Sequence, residues 1–520
     1  MNFRNIAQRI FALNDIFKLE CLHMLLDQDT LKFVFGMKLR GLRLDKGLSL
    51  KDLAKKTGLS PSYLNEIEKG KKYPKTEKIL ILAQALEEKY EDLISLELKR
   101  DLQLVQNLLD KKFLTGIPFD LFGIPASMVF ELLAERPKKM RALVGTILEI
   151  ARAHNIQIDD FLFALLRAYI DMHDNSFPSL EESAKKSARE HGLRWNSTPQ
   201  ELKDSLIQKL AAKKIQVLEQ DLLELSPDFR DVLYFTAERG RKFYLSNRLE
   251  LSDQVFILAR EFGFHELRLK TRPQSSLILN LDSFDQLFNH FSASYFASSL
   301  LIPEEEIVQD LKNLFSQKEW REKDLEKLLR KYACSYESLF HRMTQIIPKH
   351  FGLKRLFFLR YEYDLNTKKY EIARELHLSN PQGPHRIKGF EHYCSRWLIY
   401  RLTQQQMKKS LEETSLGIQR SRYSGTASEY VVFSVSFQKP QFPHRITSVC
   451  IGILNNEALA KSVPWSSSET IASYVVGETC ERCAEKNCSE RAAPVDPLLD
   501  PERFERIFKT LHSFAHSTGT

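Results

Sequence analysis

Long apolar stretches are what this chain most plainly lacks. No uninterrupted run approaches the roughly 20 residues that a membrane helix needs, so no transmembrane span is expected. The opening residues, MNFRNIAQRIFALNDIF, are mildly amphipathic. Asp15 and Glu20 interrupt that pattern, and neither an h-region nor a small-residue cleavage site follows, so the expectation is a cytoplasmic protein. Cysteine is scarce: seven in 520 residues, an odd number, thinly spread except for Cys480, Cys483 and Cys488. That usage excludes a disulfide framework, and in a reducing compartment clustered thiols point to a metal before a bridge. Excess charge is small too. A net charge of +8 and a pI near 8.9 are compatible with nucleic acid but modest for this length, so the position of the charge matters more than its sum.

What is present is the composition of a globular protein, 43% hydrophobic and 28% charged, and a length that implies about three or four domains. Positive charge gathers between Met37 and Lys75, where Arg40 and Arg43 stand among nine lysines. The same stretch is punctuated as short helices. In MKLRGLRLDKG, Met37, Leu39, Leu42 and Leu44 offer apolar positions before Gly47 ends the helix. SLKDLAKKTG opens on Ser49 as N-cap, with Asp52 three residues on as an acidic capping box and Gly58 placed for a left-handed C-terminal turn. SPSYLNEIEKG begins with Ser60 as N-cap and Pro61 at the first helical position, and stops at Gly70. TEKILILAQALE closes the core. Two short helices joined by a tight turn form a helix-turn-helix. Its second helix would carry Ser60, Ser62, Tyr63 and Asn65 to base edges or nearby phosphates, with Lys69, Lys71 and Lys72 for phosphates and Arg40 and Arg43 as further DNA-binding residues. The segment resembles the lambda-repressor/Cro type of helix-turn-helix, most closely in SPSYLNEIEKGKKYP. Where that type usually carries a phosphate-positioning Gln after the first cap, this chain has Leu50.

From Glu97 to about Glu224 apolar periodicity predicts helices, notably RALVGTILEIARAHN, DDFLFALLRAYIDMHD and SLIQKLAAKKIQVLEQDLLEL, with DNSFPSLEES as a separating loop. Further on, RKFYLSNRLELSDQVFILAREFGFHELRLK followed by SYFASSLLIPEEEI resembles the ImmA/IrrE-type metallopeptidase region. That family's helical His-Glu-x-x-His places two imidazoles on zinc and a Glu as general base. At the matching place stand Arg260, Glu261, Phe262, Gly263 and Phe264; both histidines are replaced and the acidic third ligand is missing. His265 lies off the required face, and neither it nor His290 restores a site. The expectation is a scaffold without catalysis, not an enzyme.

After Pro348 the period shortens. KRLFFLRYEYD and KKYEIARELHL read as a hairpin through LNT, and SEYVVFSVSFQ and RITSVCIGI as further strands, with Arg360 and Arg445 on a solvated sheet face. SSSETIASYVVG is expected to be a helix capped by Ser466 with Glu469 three residues on. It delivers the chain to Cys480 and Cys483, whose C-x2-C spacing lets two thiolates bind one centre, and to Cys488. Three ligands close neither a tetrahedral zinc site nor a four-thiolate cubane. Of Cys394, Cys450, Cys334 and Cys21, Cys394 in EHYCSRW is the chosen fourth, because Cys450 sits in a strand interior. Arg482, Lys486 and Arg491 are expected to lower the thiol pKa values.

The Cro-type head, the degenerate peptidase outline and the terminal GETCERCAEKNCSERA together resemble the short-chain fatty acyl transcriptional regulator family, whose members end in a similar C-x2-C-x4-C-x2-RA string. The resemblance implies a regulator of acetate, propionate or glyoxylate-type metabolism that responds to acyl-CoA. It also implies a [4Fe–4S] cluster on the cysteines, with zinc as the alternative. The expected partners are a double-stranded DNA operator and a second copy in a homodimer. The fold expected is mainly α with an α+β C-terminal part. It comprises a leader (1–32), a lambda-repressor-like helical DNA-binding domain (33–96), a helical linker or dimerisation region (97–225), a degenerate zincin-like region (226–348), an antiparallel-sheet sensor domain ending in the Cys cluster (349–494) and a tail (495–520). Two rivals stay open: a helix-turn-helix-linked metallopeptidase that cleaves a partner repressor, and a DNA-binding protein with a purely structural zinc site.

Overall fold

The structure, a computed structural model, describes residues 28–95, 119–123, 146, 149–150, 158–278, 281, 283–379, 385, 391–411, 413–485, 487–495 and 501–517. Cys21, Lys486 and most of RALVGTILEIARAHN lie outside them. The chain divides into two units, residues 1–162 and 163–520. No helix among the described residues is long and apolar enough to cross a membrane.

In the first unit, α1 (Gln28–Asp45), α2 (Leu50–Thr57), α3 (Pro61–Glu68), α4 (Thr76–Leu86) and α5 (Tyr90–Ile94) enclose a core of Phe35, Leu39, Leu53, Leu64, Ile67 and Leu82. The local signals hold. Ser49 and Asp52 form a reciprocal capping box, and Gly58 takes φ 69° and returns its N–H to Ala54. The Ser60 hydroxyl accepts from Tyr63 N, with Pro61 in the first turn. Leu44, expected to be apolar-facing, is 56% exposed, because it sits a residue from the end of α1 on the side away from the core. Helix α1 crosses α3 so closely that a Cβ on Gly36 would stand 2.2 Å from Ile67 O, which leaves glycine as the fitting residue.

Helix α6 (Ile158–Met172) runs across the boundary into the second unit, where α7 (Pro178–His191) and α8 (Pro199–Ala212) follow. DNSFPSLEES is therefore not a loop throughout: Pro178 starts α7, its fixed φ and missing N–H suiting the first helical turn. Nor does SLIQKLAAKKIQVLEQDLLEL stay helical. Helix α8 ends at Ala212, Lys214 turns the chain with φ 65°, and Gln216–Gln220 becomes strand β1. Strand pairing overrides the helical period there. β1 runs parallel to β3 (Lys242–Ser246), which pairs antiparallel with β2 (Tyr234–Ala237), in the order β1-β3-β2. Helix α9 (Leu251–Glu266) packs between α8 and α10 (Phe284–Leu301), and α11 (Glu304–Phe315), α12 (Glu322–Lys331) and α13 (Tyr336–Phe351) follow.

The larger sheet has six strands. They are β4 (Leu356–Asp364), β5 (Lys369–Leu378), β6 (Ser415–Tyr423), β7 (Glu429–Gln438), β8 (Arg445–Leu454) and β9 (Ser473–Val476), in the order β5-β4-β8-β7-β6-β9. Helix α14 (Leu398–Gln406) contacts β6, β7 and β8, and α13 packs on β4 and β8. The expected β4–β5 hairpin is present. The expected helix in SSSETIASYVVG is not. Ser466 lies buried in a 3-10 turn, Pro464–Ser467, and Ser473–Val476 forms β9, parallel to β6 from Arg420 to Tyr423. Tyr474, Val475 and Val476 favour extended backbone, and the open edge of β6 supplies the ladder. A last helix, α16, follows α15 (Glu457–Ser462) and covers Pro501–Ser517.

Arg360 does not lie on a solvated face. It bonds Glu337 at 3.1 Å and Glu362 at 2.5 Å, and Arg374 reaches Glu337 at 3.1 Å. Burial pulls the Glu337 carboxyl upward, but Arg360, Arg374 and Lys439 override it and hold the group down to about 2. One turn on, burial and then Arg374 push the His341 imidazole down to about 4. Both values lie below their ordinary ones, 4.5 and 6.5, so on acidification the unfolded chain takes protons first. The His341 contribution is complete above pH 6.5 and lost as pH falls to about 4; the Glu337 contribution is lost between about 4.5 and 2. Urea unfolding of the second unit is expected to weaken by about 2–3 kcal/mol between pH 7 and pH 4.5. His341→Gln should reduce that slope above pH 5, with a share left to His290, which burial also holds well below its ordinary range, and an unchanged slope would show that His341 carries none of it.

Candidate nucleic-acid interface and thiol cluster

On α3 the side chains of Ser60 and Ser62 are exposed, Asn65 is half-buried, and Tyr63 packs partly on the core. The Tyr63 ring is held between cations: Lys78 Nζ lies 4.2 Å from its centroid and Lys72 Nζ 5.8 Å. Lys78, on α4, was not among the expected contact residues; it reaches the Tyr63 ring from the first turn of the next helix. Lys71 and Lys72 are exposed in the turn after α3, Lys72 pairing with Glu66 at 2.9 Å, and Lys69 caps α3. Arg40 is half-buried on α1.

Arg43 departs from expectation. It is 7% exposed, and its Nε and Nη2 donate to the two oxygens of the equally buried Glu68 at 2.6 and 2.8 Å, while Nη1 donates to Leu48 O at 2.7 Å. The guanidinium joins α1 to the end of α3 and is engaged within the protein. Lys38 is engaged similarly, donating to Asp92 O at 2.9 Å and Ser95 Oγ at 2.6 Å. Part of the early basic charge is thus structural. Leu50 packs against the core of this unit, where a hydrophobic side chain belongs.

In the second unit Arg260, Glu261 and Phe264 are all buried on α9. The Arg260 guanidinium lies 4.9 Å from the Tyr234 ring centroid. Glu261 Oε1 accepts from Arg272 Nη1 at 2.5 Å and faces His265 Nε2 at 3.1 Å. Burial pulls the Glu261 carboxyl upward, but the His265 hydrogen bond and the Arg272 charge outweigh it and keep the group below its ordinary range. A carboxylate so engaged is a charge partner, and Arg260 and Phe264 stand at the two positions where the resembled motif carries imidazoles.

Cys394, Cys480 and Cys483 approach one another at the end of the larger sheet, with no three thiol sulfurs among the described residues within 4.8 Å of each other. Segment 391–394 lies alongside 478–480 through a Tyr393–Thr479 bridge, with Cys480 N donating to His392 O at 2.8 Å and Cys394 N to Glu478 O at 3.2 Å. Cys394 is 6% and Cys480 5% exposed, with Cys483 and Cys488 half-buried. Gly477 N donates to Cys394 Sγ at 3.4 Å and Ala492 N to Cys480 Sγ at 3.3 Å. A Cβ on Gly477 would stand 2.9 Å from Cys483 Sγ, so the backbone passes close to that sulfur. Trp397 Nε1 holds Gly477 O at 2.9 Å beneath. The structure thus brings Cys394 to Cys480 and Cys483 across more than 80 residues, while Cys450 stays inside β8 and Cys334 is buried elsewhere. Backbone N–H groups aimed at sulfur suit a thiolate-bound centre. The basic residues act differently from expectation. Arg482 binds Glu391 at 3.1 Å through Nε, and Arg491 donates to the carbonyl oxygens of Cys480, Cys483 and Glu485. Burial pushes the Cys394 thiol up to about 11.

Comparison with known proteins bears on the helix-turn-helix. The helix-turn-helix family profile HTH_3 matches residues 39–93, which are a helix-turn-helix domain. The HTH-type transcriptional regulator PrpR of Mycobacterium tuberculosis (strain ATCC 25618 / H37Rv) is 21% identical over 485 residues, covering 88% of this chain and 91% of that protein. The HTH-type transcriptional regulator RamB of Mycobacterium tuberculosis (strain CDC 1551 / Oshkosh) is 21% identical over 483 residues, covering 89% and 95%. A solved structure titled Mycobacterium tuberculosis transcriptional regulator covers 64% of this chain and 94% of its own at 16% identity, with a TM-score of 0.45.

Proposed function

We propose that this helix-turn-helix protein is a sequence-specific transcriptional regulator of short-chain acyl metabolism, acting in the cytoplasm as a homodimer, with α3 reading an operator in the major groove. The observation that carries the reading is the exposed, doubly capped α3 with Ser62, Tyr63 and Asn65 on one side and Lys71 and Lys72 beyond it. Near-full-length similarity to two HTH-type transcriptional regulators supports it. Selection of bound sequences from random duplexes tests it: one recurrent motif is expected, and uniform binding of all duplexes would overturn it. Lys71→Ala should weaken binding to every sequence and reduce the slope of log K against log salt by about one. Asn65→Ala should instead lower discrimination at one base pair.

In the same reading Cys394, Cys480, Cys483 and Cys488 hold a [4Fe–4S] cluster, and the second unit takes an acyl-CoA as effector. A bound cluster supplies a redox- and oxygen-sensitive charge centre. The chain's own residues position the sulfurs, exclude water through Trp397 and Cys394 burial, and direct N–H groups at them. Anaerobic purification is expected to give brown protein with iron and sulfide in equal amounts. Colourless protein with stoichiometric zinc would replace the cluster by a structural zinc. Cys483→Ser distinguishes the roles: altered operator affinity in folded protein marks a sensor, and loss of folding a staple. No catalytic role is assigned to Glu261, given its ion pair with Arg272. Loss of a partner-repressor cleavage in Glu261→Gln would revive the peptidase reading.

A further inference from the structure

Away from the thiols, a second set of metal-ligand side chains converges. Glu375, His377 and His385 form a group, among the described residues, whose ligand atoms all lie within 4.8 Å of one another. Glu375 and His377 stand two residues apart on β5, so they point to one face, and the register sets them opposite Leu359 and Phe357. β5 is an edge strand, so nothing in the sheet lies beyond them. His385, on the connection after β5, brings its ring to 4.3 Å from that of His377. The Oε2 of Glu375 is the common point, 3.9 Å from His377 Nε2 and 3.8 Å from His385 Nδ1.

We propose that these three side chains bind one divalent transition-metal ion, zinc by donor type, at a site separate from the thiol cluster. Two imidazoles and one carboxylate are a zinc donor set that leaves a fourth position for water or a ligand atom. Metal–ligand bonds of about 2.0–2.1 Å place tetrahedral donors roughly 3.4 Å apart, so the two Glu–His separations need a contraction of about half an ångström, and the His–His separation, within 4.8 Å, closes by rotation of the exposed His385. Glu375 and His377 are 15% and 12% exposed, which keeps the carboxylate and imidazole in place, whereas His385 is 46% exposed and opens the site to solvent. Arg167 Nη2 lies 3.8 Å from the other oxygen, Oε1. It competes in part for the carboxylate charge, as a charged neighbour of a metal ligand does. The ion would fasten the connection after β5 to the edge strand. That connection runs on to Tyr393 and Cys394, so occupancy of this site restrains the segment that brings the fourth thiol to Cys480 and Cys483.

The full-length chain, stripped of metal and kept reduced, is titrated with Zn2+ by calorimetry and with Co2+ by optical spectroscopy. One ion is expected to bind the His–Glu site with visible ligand-field bands and no thiolate-to-cobalt charge transfer. His385→Asn, chosen because its side chain is half-exposed, should weaken that ion at least about tenfold while leaving the thiol site loaded. Glu375→Gln should do the same, and Cys483→Ser should leave it unchanged. The proposal falls if all Co2+ absorbance carries thiolate charge transfer, or if His385→Asn binds as the wild type does. If Cys483→Ser does not fold, the His385→Asn titration decides alone.

Discussion

Glu68→Ala is expected to lower the stability of the helix-turn-helix unit by about 3–5 kcal/mol and to remove operator binding at growth temperature, although Glu68 touches no DNA. The Arg43–Glu68 pair is buried at both ends and doubly hydrogen-bonded. Removing the carboxylate leaves a guanidinium without its counter-charge, which costs more than the pair ever contributed. The loss is comparable to the whole stability of a small domain. Arg43→Ala should act in the same direction, because Glu68 is then stranded. Arg43→Met combined with Glu68→Leu should recover most of the stability, since a buried pair is replaceable by apolar packing. The measurement is thermal unfolding of the full-length variants followed by circular dichroism, alongside DNA binding at low temperature. Had Arg43 been a phosphate contact, Arg43→Ala would weaken binding, flatten the salt dependence and leave the melting unchanged. That pattern would overturn the assignment.

Arg342→Met is expected to have an effect of similar size on the second unit. Arg342 is completely buried on α13. It donates to both Glu181 oxygens at 2.6 and 2.9 Å, to Gln345 Oε1 at 2.8 Å and to Ile302 O at 3.0 Å. Tyr295 OH also donates to Glu181, at 2.8 Å, and accepts from Phe177 N at 3.2 Å. One guanidinium thus joins α7, the end of α10 and α13. Burial, then Glu181, raises the Tyr295 phenol, which keeps it a donor throughout the working range. Methionine fills much of the volume but leaves the Glu181 carboxylate without its counter-charge and Ile302 O without the Arg342 donor, at about 3–5 kcal/mol. Arg342→Lys keeps the charge, loses the planar fork, and should cost less. Urea titration should show a lower midpoint with an unchanged slope for Met. A midpoint equal to the wild type would mean that water replaces the network without loss.

These two residues mark where reading the chain locally stops. Ser49, Asp52, Gly58, Ser60 and Pro61 declare their roles within four residues, because a helix end must satisfy its own N–H and C=O groups with neighbours in sequence. The β4–β5 hairpin is legible for the same reason: alternation and a short turn are local. The sequence by itself determined the helix-turn-helix, the strand-rich end and the gathering of three thiols. Tertiary structure alone decided that Arg43 faces Glu68, 25 residues away, and not a phosphate, since burial is a property of the assembled core. It decided that 473–476 adds to β6 as a strand and that 216–220 leaves the helical period for β3, because an open sheet edge supplies hydrogen bonds that no local propensity encodes. It also brought Cys394 to Cys480 and Cys483, and His385 back onto Glu375 and His377, through the register of long-range pairs.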